Sequence, residues 1–368
     1  MADAWIDGSP VALRAAATEA AKLLKASRLP MIAGLGTDVA GARAAVGLAA
    51  QLGGVIDHMH SRALLRDLDV AREAGVMVTT PDEAALRADT LLMVGPGLRD
   101  AWPDLDARLI ERPPAPEAAD QFRRRIFWLC PGTKTRPRHE EETVIGRAPK
   151  DLPGVLAALR ARLAGRPCTK LHDARAIDRL AAELRAARFG VALWSAAELD
   201  GLAIEMLCGL VNDLNRTTRF SGLPLTPGDH AAGVLEVCGW MTGFPMRTGF
   251  ARGFPEHDPW RFEARRLVAS GEADCALWIS AYRAAAPDWD GNLPTIALTG
   301  ADAKFRGRPP RVHIAVGRPG LDHDAVERFV PTAALAWTSA KHKSQATSVA
   351  QAIGQIALAL ASDRVSPC

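Results

Sequence analysis

The stretch RLPMIAGLGTDVAGARAAVGLAAQLGGVID, residues 28–57, decides the fold. Residues 29–34 are a short apolar run closed by Gly34 and Gly36, the pattern of a strand buried on both faces. An Ala-rich run over 39–52 then reads as a helix, and Val55-Ile56-Asp57 opens another strand. Upstream, Val11, Leu13, Ala17, Ala20, Leu23 and Leu24 recur at helical spacing. Helix, strand, helix, strand is the rhythm of a parallel α/β sheet with helices on both faces, a Rossmann-like arrangement.

The same rhythm returns further along the chain. Residues 177–187 read as helix, 189–194 as strand and 199–214 as helix, with Arg188 standing where Arg28 stood. A second pair of segments also matches. RADTLLMVGPGLRDAWPD from Arg87 parallels EADCALWISAYRAAAPDW from Glu272, each an Ala-Asp entering an apolar strand. These lead into IFWLCPGTKTRPR from Ile126 and TIALTGADAKFRGRP from Thr295. The chain reads as an internal duplication of a βαβ-type unit, and a period this long means two domain-sized halves. Residues 220–260 fall outside the repeat and read as a long irregular stretch rich in Gly, Pro and aromatics, the kind of segment that carries function.

Composition narrows the functions available. A chain of 368 residues with 48% hydrophobic and 24% charged residues buries a substantial core. A formal charge of +3 offers nothing to a nucleic acid. No apolar run reaches the roughly 18 residues of a membrane helix, and MADAWIDGSP has no signal-peptide character, so a cytoplasmic protein is expected. The six cysteines, Cys130, Cys168, Cys208, Cys238, Cys275 and Cys368, stand singly and read as reduced, inert thiols.

Three places carry candidate chemistry. Gly34-Leu35-Gly36 between strand and helix is half of a dinucleotide fingerprint, or a tight strand-to-helix turn. Asp57-His58-Met59-His60-Ser61 sets two imidazoles at a strand end, either half of a metal site or polar side chains over a cleft. Arg123, Arg124 and Arg125 precede the strand at 126–129, and Lys134, Arg136 and Arg138 follow it, a bracket suited to carboxylates or phosphates. Glu140-Glu141-Glu142 next door offers to neutralise part of that charge internally. No G-x-S-x-G, H-E-x-x-H or P-loop is present, so no catalytic residue and no complete metal site is expected.

GWMTGFPMRTGFARGFPEHDPW, residues 239–260, is idiosyncratic, and it resembles the equivalent segment in the B subunits of formylmethanofuran dehydrogenases, members of the molybdopterin oxidoreductase superfamily. WIDGSPVAL from Trp5, VNDLNRTTRF from Val211 and SGEADCALWIS from Ser270 extend the resemblance over most of the chain. Redox members open with an iron–sulfur segment and supply a Cys or selenocysteine to molybdenum or tungsten just after the strand ending near Asp57. Here that stretch reads HMHSRALLRD, without a thiolate. Arg252 matches an arginine that the redox enzymes keep near their metal pocket. A short, degenerate subunit of this kind is similar to the B subunits of bacterial formyltransferase/hydrolase complexes, which move a formyl group from tetrahydromethanopterin to methylofuran and hydrolyse it to formate.

That resemblance implies a formate dehydrogenase/DMSO reductase-like fold and a structural role in which the chain itself holds no metal, pterin or other cofactor. It also implies partners, the sister subunits of types A, C and D, one of which carries zinc. The polyglutamate tail of methylofuran would give Arg123, Arg124, Arg125, Lys134, Arg136 and Arg138 a ligand. In domain terms it implies that residues 1–57 and 188–330 share one α/β domain, with 58–187 inserted and 331–368 forming a C-terminal helix and tail. Two rivals are a redox-active molybdopterin-dependent subunit whose metal has an unusual ligand, His58, His60 or none, and an unrelated nucleotide-binding enzyme using the turn at Gly34.

Overall fold

The first elements are β1 (Ala4–Ile6), β2 (Ser9–Pro10), α1 (Leu13–Ala26), β3 (Pro30–Gly36), α2 (Val39–Leu52) and β4 (Val55–His58). There follow α3 (Ser61–Ala74), α4 (Pro81–Arg87), β5 (Thr90–Val94), α5 (Leu98–Ala101), β6 (Arg125–Leu129), β7 (Glu142–Ile145), α6 (Leu152–Leu163), α7 (Ala174–Arg185), β8 (Gly190–Trp194), α8 (Gly201–Leu214) and β9 (Phe220–Pro224). The last are α9 (Ala231–Thr242), β10 (Thr248–Gly249), β11 (Glu256–His257), α10 (Ala264–Ala269), β12 (Cys275–Ser280), β13 (Thr295–Thr299), β14 (Val312–Ala315), β15 (Ala325–Phe329), β16 (Ala334–Thr338) and α11 (Val349–Ser362). This computed structural model describes residues 3–115, 123–146, 148–167, 174–289, 293–305, 309–342 and 344–362.

The chain forms two units. Unit 1 comprises Met1–Ser61, Gly228–Phe329 and Ala334–Cys368; unit 2 comprises Arg62–Pro227 and Val330–Ala333. Unit 1 is built on a nine-stranded sheet of order β11-β10-β4-β3-β12-β13-β14-β1-β2, and unit 2 on a five-stranded sheet of order β7-β6-β5-β8-β9. The central pairings of both are parallel.

The duplication is visible in these orders, together with an exchange. The run β4-β3-β12-β13-β14 of unit 1 corresponds position for position to β9-β8-β5-β6-β7 of unit 2. Each sheet therefore takes its first two strands from one repeat and its remaining three from the other. The repeated Ala-Asp signature has a structural reason. The Asp274 carboxylate, entering β12, accepts from the backbone N–H of Arg28 and Leu29 at 3.0–3.1 Å, pinning the start of β3. Asp89, entering β5, accepts in the same way from Arg188 and Phe189 before β8, at 2.9 and 3.4 Å.

Helix ends repeat as well. Asp38 caps α2 by accepting from the Gly41 N–H at 3.0 Å, and Asp200 caps α8 by accepting from Ala203 at 2.7 Å. In unit 2 both sheet faces are buried, with Leu92, Leu129 and Trp194 on one and Leu91, Trp128 and Leu193 on the other.

The structure redraws the domain boundaries. The insertion ends at Pro227 and not at 187, because β8 and β9 hydrogen-bond to β5 and to each other inside unit 2. The C-terminal helix is no separate tail: α11 packs on α1 and α2, the place α6 takes beside α7 and α8. The stretch 220–260 is also less irregular than its Gly and Pro content suggests, since it contains β9, α9, β10 and β11.

Candidate functional site

In parallel sheets, ligand sites gather at the carboxyl ends of the strands. In unit 1 these ends belong to β3, β4 and β12, and the residues found there are Thr37 and Asp38, His58 and His60, and Arg283, with Asp229 and His230 facing them from the segment before α9.

Gly34 and Gly36 serve the turn. Gly34 lies at φ +80°, and a Cβ there would sit 2.5 Å from the Ile279 carbonyl oxygen, so the glycine is needed for the close approach of β3 to β12. The N-terminus of α2 already holds an anion, the Asp38 carboxylate, where a nucleotide phosphate would have to bind.

His58 and His230 are spent within the fold, and His60 commits its Nε2 to Asp229. His58 is buried; its Nδ1 accepts from the His60 backbone N–H at 3.0 Å and its Nε2 donates to the Asp229 carbonyl at 3.2 Å. Burial pushes its pKa down to about 3, so it is neutral and has no lone pair left for a metal. His230 is occupied similarly: Nδ1 donates to the Thr37 carbonyl at 2.9 Å and Nε2 accepts from the Arg328 N–H at 2.7 Å.

Asp229 is the centre of this cluster. Its carboxylate has no exposed surface; Oδ1 accepts from Arg283 Nε at 2.9 Å, and Oδ2 accepts from His60 Nε2 at 3.0 Å and from Arg283 Nη2. Burial by itself would raise its pKa, yet the hydrogen bonds from His60 and Arg283 and the guanidinium charge hold it far below the usual carboxylate range. Asp229 and His230 both lie in the left-handed region, at φ 57° and 58°, a conformation held by these contacts.

Unit 2 holds a second candidate. At the carboxyl end of β6 a cleft of 370 Å³ is lined by Arg99, Asp100, Trp128, Lys134, Arg136 and Arg138, among others. Arg99 is buried in it, stacked 4.8 Å over the Trp128 ring and ion-paired to Asp106 and Glu142, each at 2.9 Å. Arg138 also reaches Asp106, at 3.1 Å. Lys134 and Arg136 are exposed and have no carboxylate partner among the described residues.

The basic cluster read from the sequence is therefore divided. Arg124 is buried at the opposite end of β6, where its guanidinium donates to the carbonyls of Ala85, Ala88, Leu109 and Ile110. Arg125 there pairs with Glu183 and donates to Thr90, and Arg123 is exposed beside them. Glu142 is spent on Arg99 and on the Arg138 backbone N–H, while Glu140 and Glu141 stay exposed. Asp229, Arg283, Arg99 and Asp106 escaped the sequence reading. One signal pointed to two of them: laid side by side, the repeated segments put Arg99 and Arg283 within one residue of each other, and each ends a strand by gripping a carboxylate.

No family model matches the chain. A curated relative, the B subunit of the formyltransferase/hydrolase complex Fhc of Methylorubrum extorquens, is 36% identical over 319 residues, covering 86% of this chain and 85% of the relative. The chain belongs to the family of Fhc B subunits. A solved structure, the formyltransferase/hydrolase complex (FhcABCD) from Methylorubrum extorquens with methylofuran, matches at a TM-score of 0.88 and 34% identity, covering 99% of this chain and 100% of that one. A more distant relative, the B subunit of the tungsten-containing formylmethanofuran dehydrogenase 2 of Methanocaldococcus jannaschii, is 27% identical over 74% of this chain and 65% of its own length. The α/β architecture and the molybdopterin oxidoreductase-like relationship expected from the sequence agree with these matches.

The tungsten named in that relative can be tested against the residues present here. The donor to look for is the thiolate that the resemblance implies, a soft ligand. Cys130, Cys208, Cys238 and Cys275 are all buried, and burial pushes their thiols up to between about 11 and 12, which opposes the thiolate form. Cys168 and Cys368 lie outside the described residues. No group of three or more metal-ligating side chains converges among the described residues. The stretch after β4 offers the Met59 thioether but no thiolate, so the donor set there does not fit the centre that the resemblance implies. Arg252, expected near the metal pocket, is exposed, pairs with Glu256 and covers the Phe254 ring. No helix among the described residues is long and apolar enough to cross a membrane.

Proposed function

We propose that this chain is a structural component of a formyltransferase/hydrolase assembly in the cytoplasm. It holds no redox metal, pterin or catalytic residue of its own, and it binds sister chains equivalent to the A, C and D subunits. Those chains perform formyl transfer from tetrahydromethanopterin to methylofuran and its hydrolysis to formate, the zinc residing in one of them. The observation that carries the reading is the state of the strand-end pocket in unit 1: His58 has both nitrogens engaged, His60 and Arg283 grip Asp229, and the described thiols are buried. The competing reading, a redox subunit, has the name of the tungsten-containing relative in its favour, but it requires a metal held without a thiolate, by His58, His60 or no protein ligand, and His58 has both nitrogens engaged.

In this reading the cleft of unit 2 takes the polyglutamate tail of methylofuran. Of the six basic residues bracketing β6, the three beyond its carboxyl end, Lys134, Arg136 and Arg138, are suited to the task. Lys134 and Arg136 have no counter-ion among the described residues, and Arg138 is held on Asp106 beside them. Arg124 and Arg125 are committed to backbone carbonyls and to Glu183.

Affinity purification of the native chain followed by identification of the co-purifying chains tests the assembly. Stoichiometric recovery of the formyltransferase and hydrolase chains is expected, and recovery of an electron-transfer partner in their place contradicts the reading.

A further inference from the structure

The segment that carries the family resemblance also presents an unusual surface. Trp240, Met241, Phe244, Phe254 and Trp260 are all exposed, Trp240 at 53% and Trp260 at 69%. Every exposed residue from 239 to 262 is apolar, glycine or arginine. The carboxylates of the segment are turned to internal tasks: Glu256 pairs with Arg252, and Asp258 accepts from the backbone N–H of Trp260 and Arg261 at 2.9 and 2.8 Å. Tryptophan, phenylalanine, methionine and arginine without exposed acids is the composition of an interface centre.

The surface is also held rigidly. Thr242 Oγ1 accepts from the Phe244 N–H at 3.0 Å and donates to the Cys238 carbonyl at 2.7 Å, and Gly243 ends α9 at φ 79°. Arg266 lies 4.6 Å over the Trp260 ring and Arg252 5.1 Å over Phe254, while Phe244 stacks on His257 at 6.2 Å. Aromatic anchors fixed before binding lose little conformational entropy when a partner arrives.

We propose that this face of unit 1, centred on Trp240 and Trp260, docks a different protein chain that offers an apolar pocket rimmed by carboxylates. Charge selects the occupant. Arg252 and Arg261 are the exposed charged residues of the segment; Arg252 is matched by the half-buried Glu256 and the neighbouring Arg265 by the exposed Asp288, which leaves Arg261 without a carboxylate partner among the described residues. A two-fold contact with a second copy would set these arginines against their own kind, whereas an acidic rim pairs them. The inference rests on the reading above that the chain works in a hetero-oligomer, and it assigns the surface through which that happens.

The test coexpresses the full chain with its three sister chains and compares wild type with Trp240→Ala, Trp260→Ala and the double variant Arg252→Glu/Arg261→Glu. Assembly is followed by size and by the dissociation constant. Each tryptophan variant is expected to melt like wild type in isolation and to weaken assembly about 30-fold or more, and the charge reversal to weaken it also, most at low salt. Wild-type assembly left unaltered by all three variants overturns the inference while sparing the hetero-oligomer. Failure of wild type to assemble overturns the reading beneath it. An isolated chain that dimerises, and is made monomeric by Trp260→Ala, overturns the choice of partner.

Discussion

The carboxyl ends of the two duplicated sheets dispose of their positive charge in opposite ways. In unit 1, Arg283 and His60 close on Asp229, a carboxylate with no exposed surface, and the pocket is filled from within. In unit 2, Asp106 and Glu142 take up Arg99 and Arg138, but Lys134 and Arg136 remain open along a cleft. One framework carries an end whose charges are matched internally and an end where Lys134 and Arg136 have no carboxylate partner among the described residues. The same strand order thus carries opposite charge arrangements at its carboxyl end, set by whether the chain supplies a counter-ion there.

The largest effect should come from breaking the closed end. Asp229→Ala removes the shared counter-ion of Arg283 and His60, and it leaves a left-handed φ without the contacts that hold it. A loss of about 3 kcal/mol is expected, at the low end for a buried pair because Arg283 is itself more than half exposed. Denaturant unfolding of the full chain checks this; an unchanged midpoint would mean that the clasp contributes nothing.

A half-buried acid, Asp67, should act in the opposite sense. Burial raises the Asp67 carboxyl from 3.8 to about 6, against a hydrogen bond from Trp194 Nε1 at 2.8 Å and the charge of Arg66. Because the folded value lies above the unfolded one, ionisation works against the fold. The penalty is full above pH 6 and disappears as pH falls through 6 toward 3.8. Asp67→Asn keeps an acceptor for Trp194 and should stabilise the chain by about 2 kcal/mol at pH 7.5, with the gain shrinking as the pH drops below 6. A gain that does not vary with pH would rule out ionisation as its cause.

How much of this was legible in advance follows from range. β3, α2 and β4 were readable because burial on both faces and local capping are written in consecutive residues. The duplication was readable because Asp89 and Asp274 pin the equivalent strand starts, so both copies keep the acid. The exchange of halves was not, since a strand buried on both faces carries the same apolar pattern whichever partner it takes. That ambiguity moved the insertion boundary from 187 to Pro227. Asp229 is a lone acid in TPGDHAAG, and only the long-range approach of His60 and Arg283 gives it meaning.

The smallest of these effects concerns the open end. Charge reversal at Lys134 and Arg136 should raise the KM of the assembly for the polyglutamylated cofactor about tenfold at low salt, shrinking as salt is added, with the melting temperature unchanged. The same reversal at Arg123, beyond the other end of β6, should leave the KM unaltered. Equal responses at the two places would undo the assignment of the cleft.

Elemental analysis of tungsten and molybdenum in the purified native assembly, scaled to the amount of this chain, reaches the central claim most directly. Neither metal is expected above background, because His60 and Arg283 are engaged by Asp229 at the end of β4 and the stretch that follows offers no thiolate. One atom of either per chain would contradict the account.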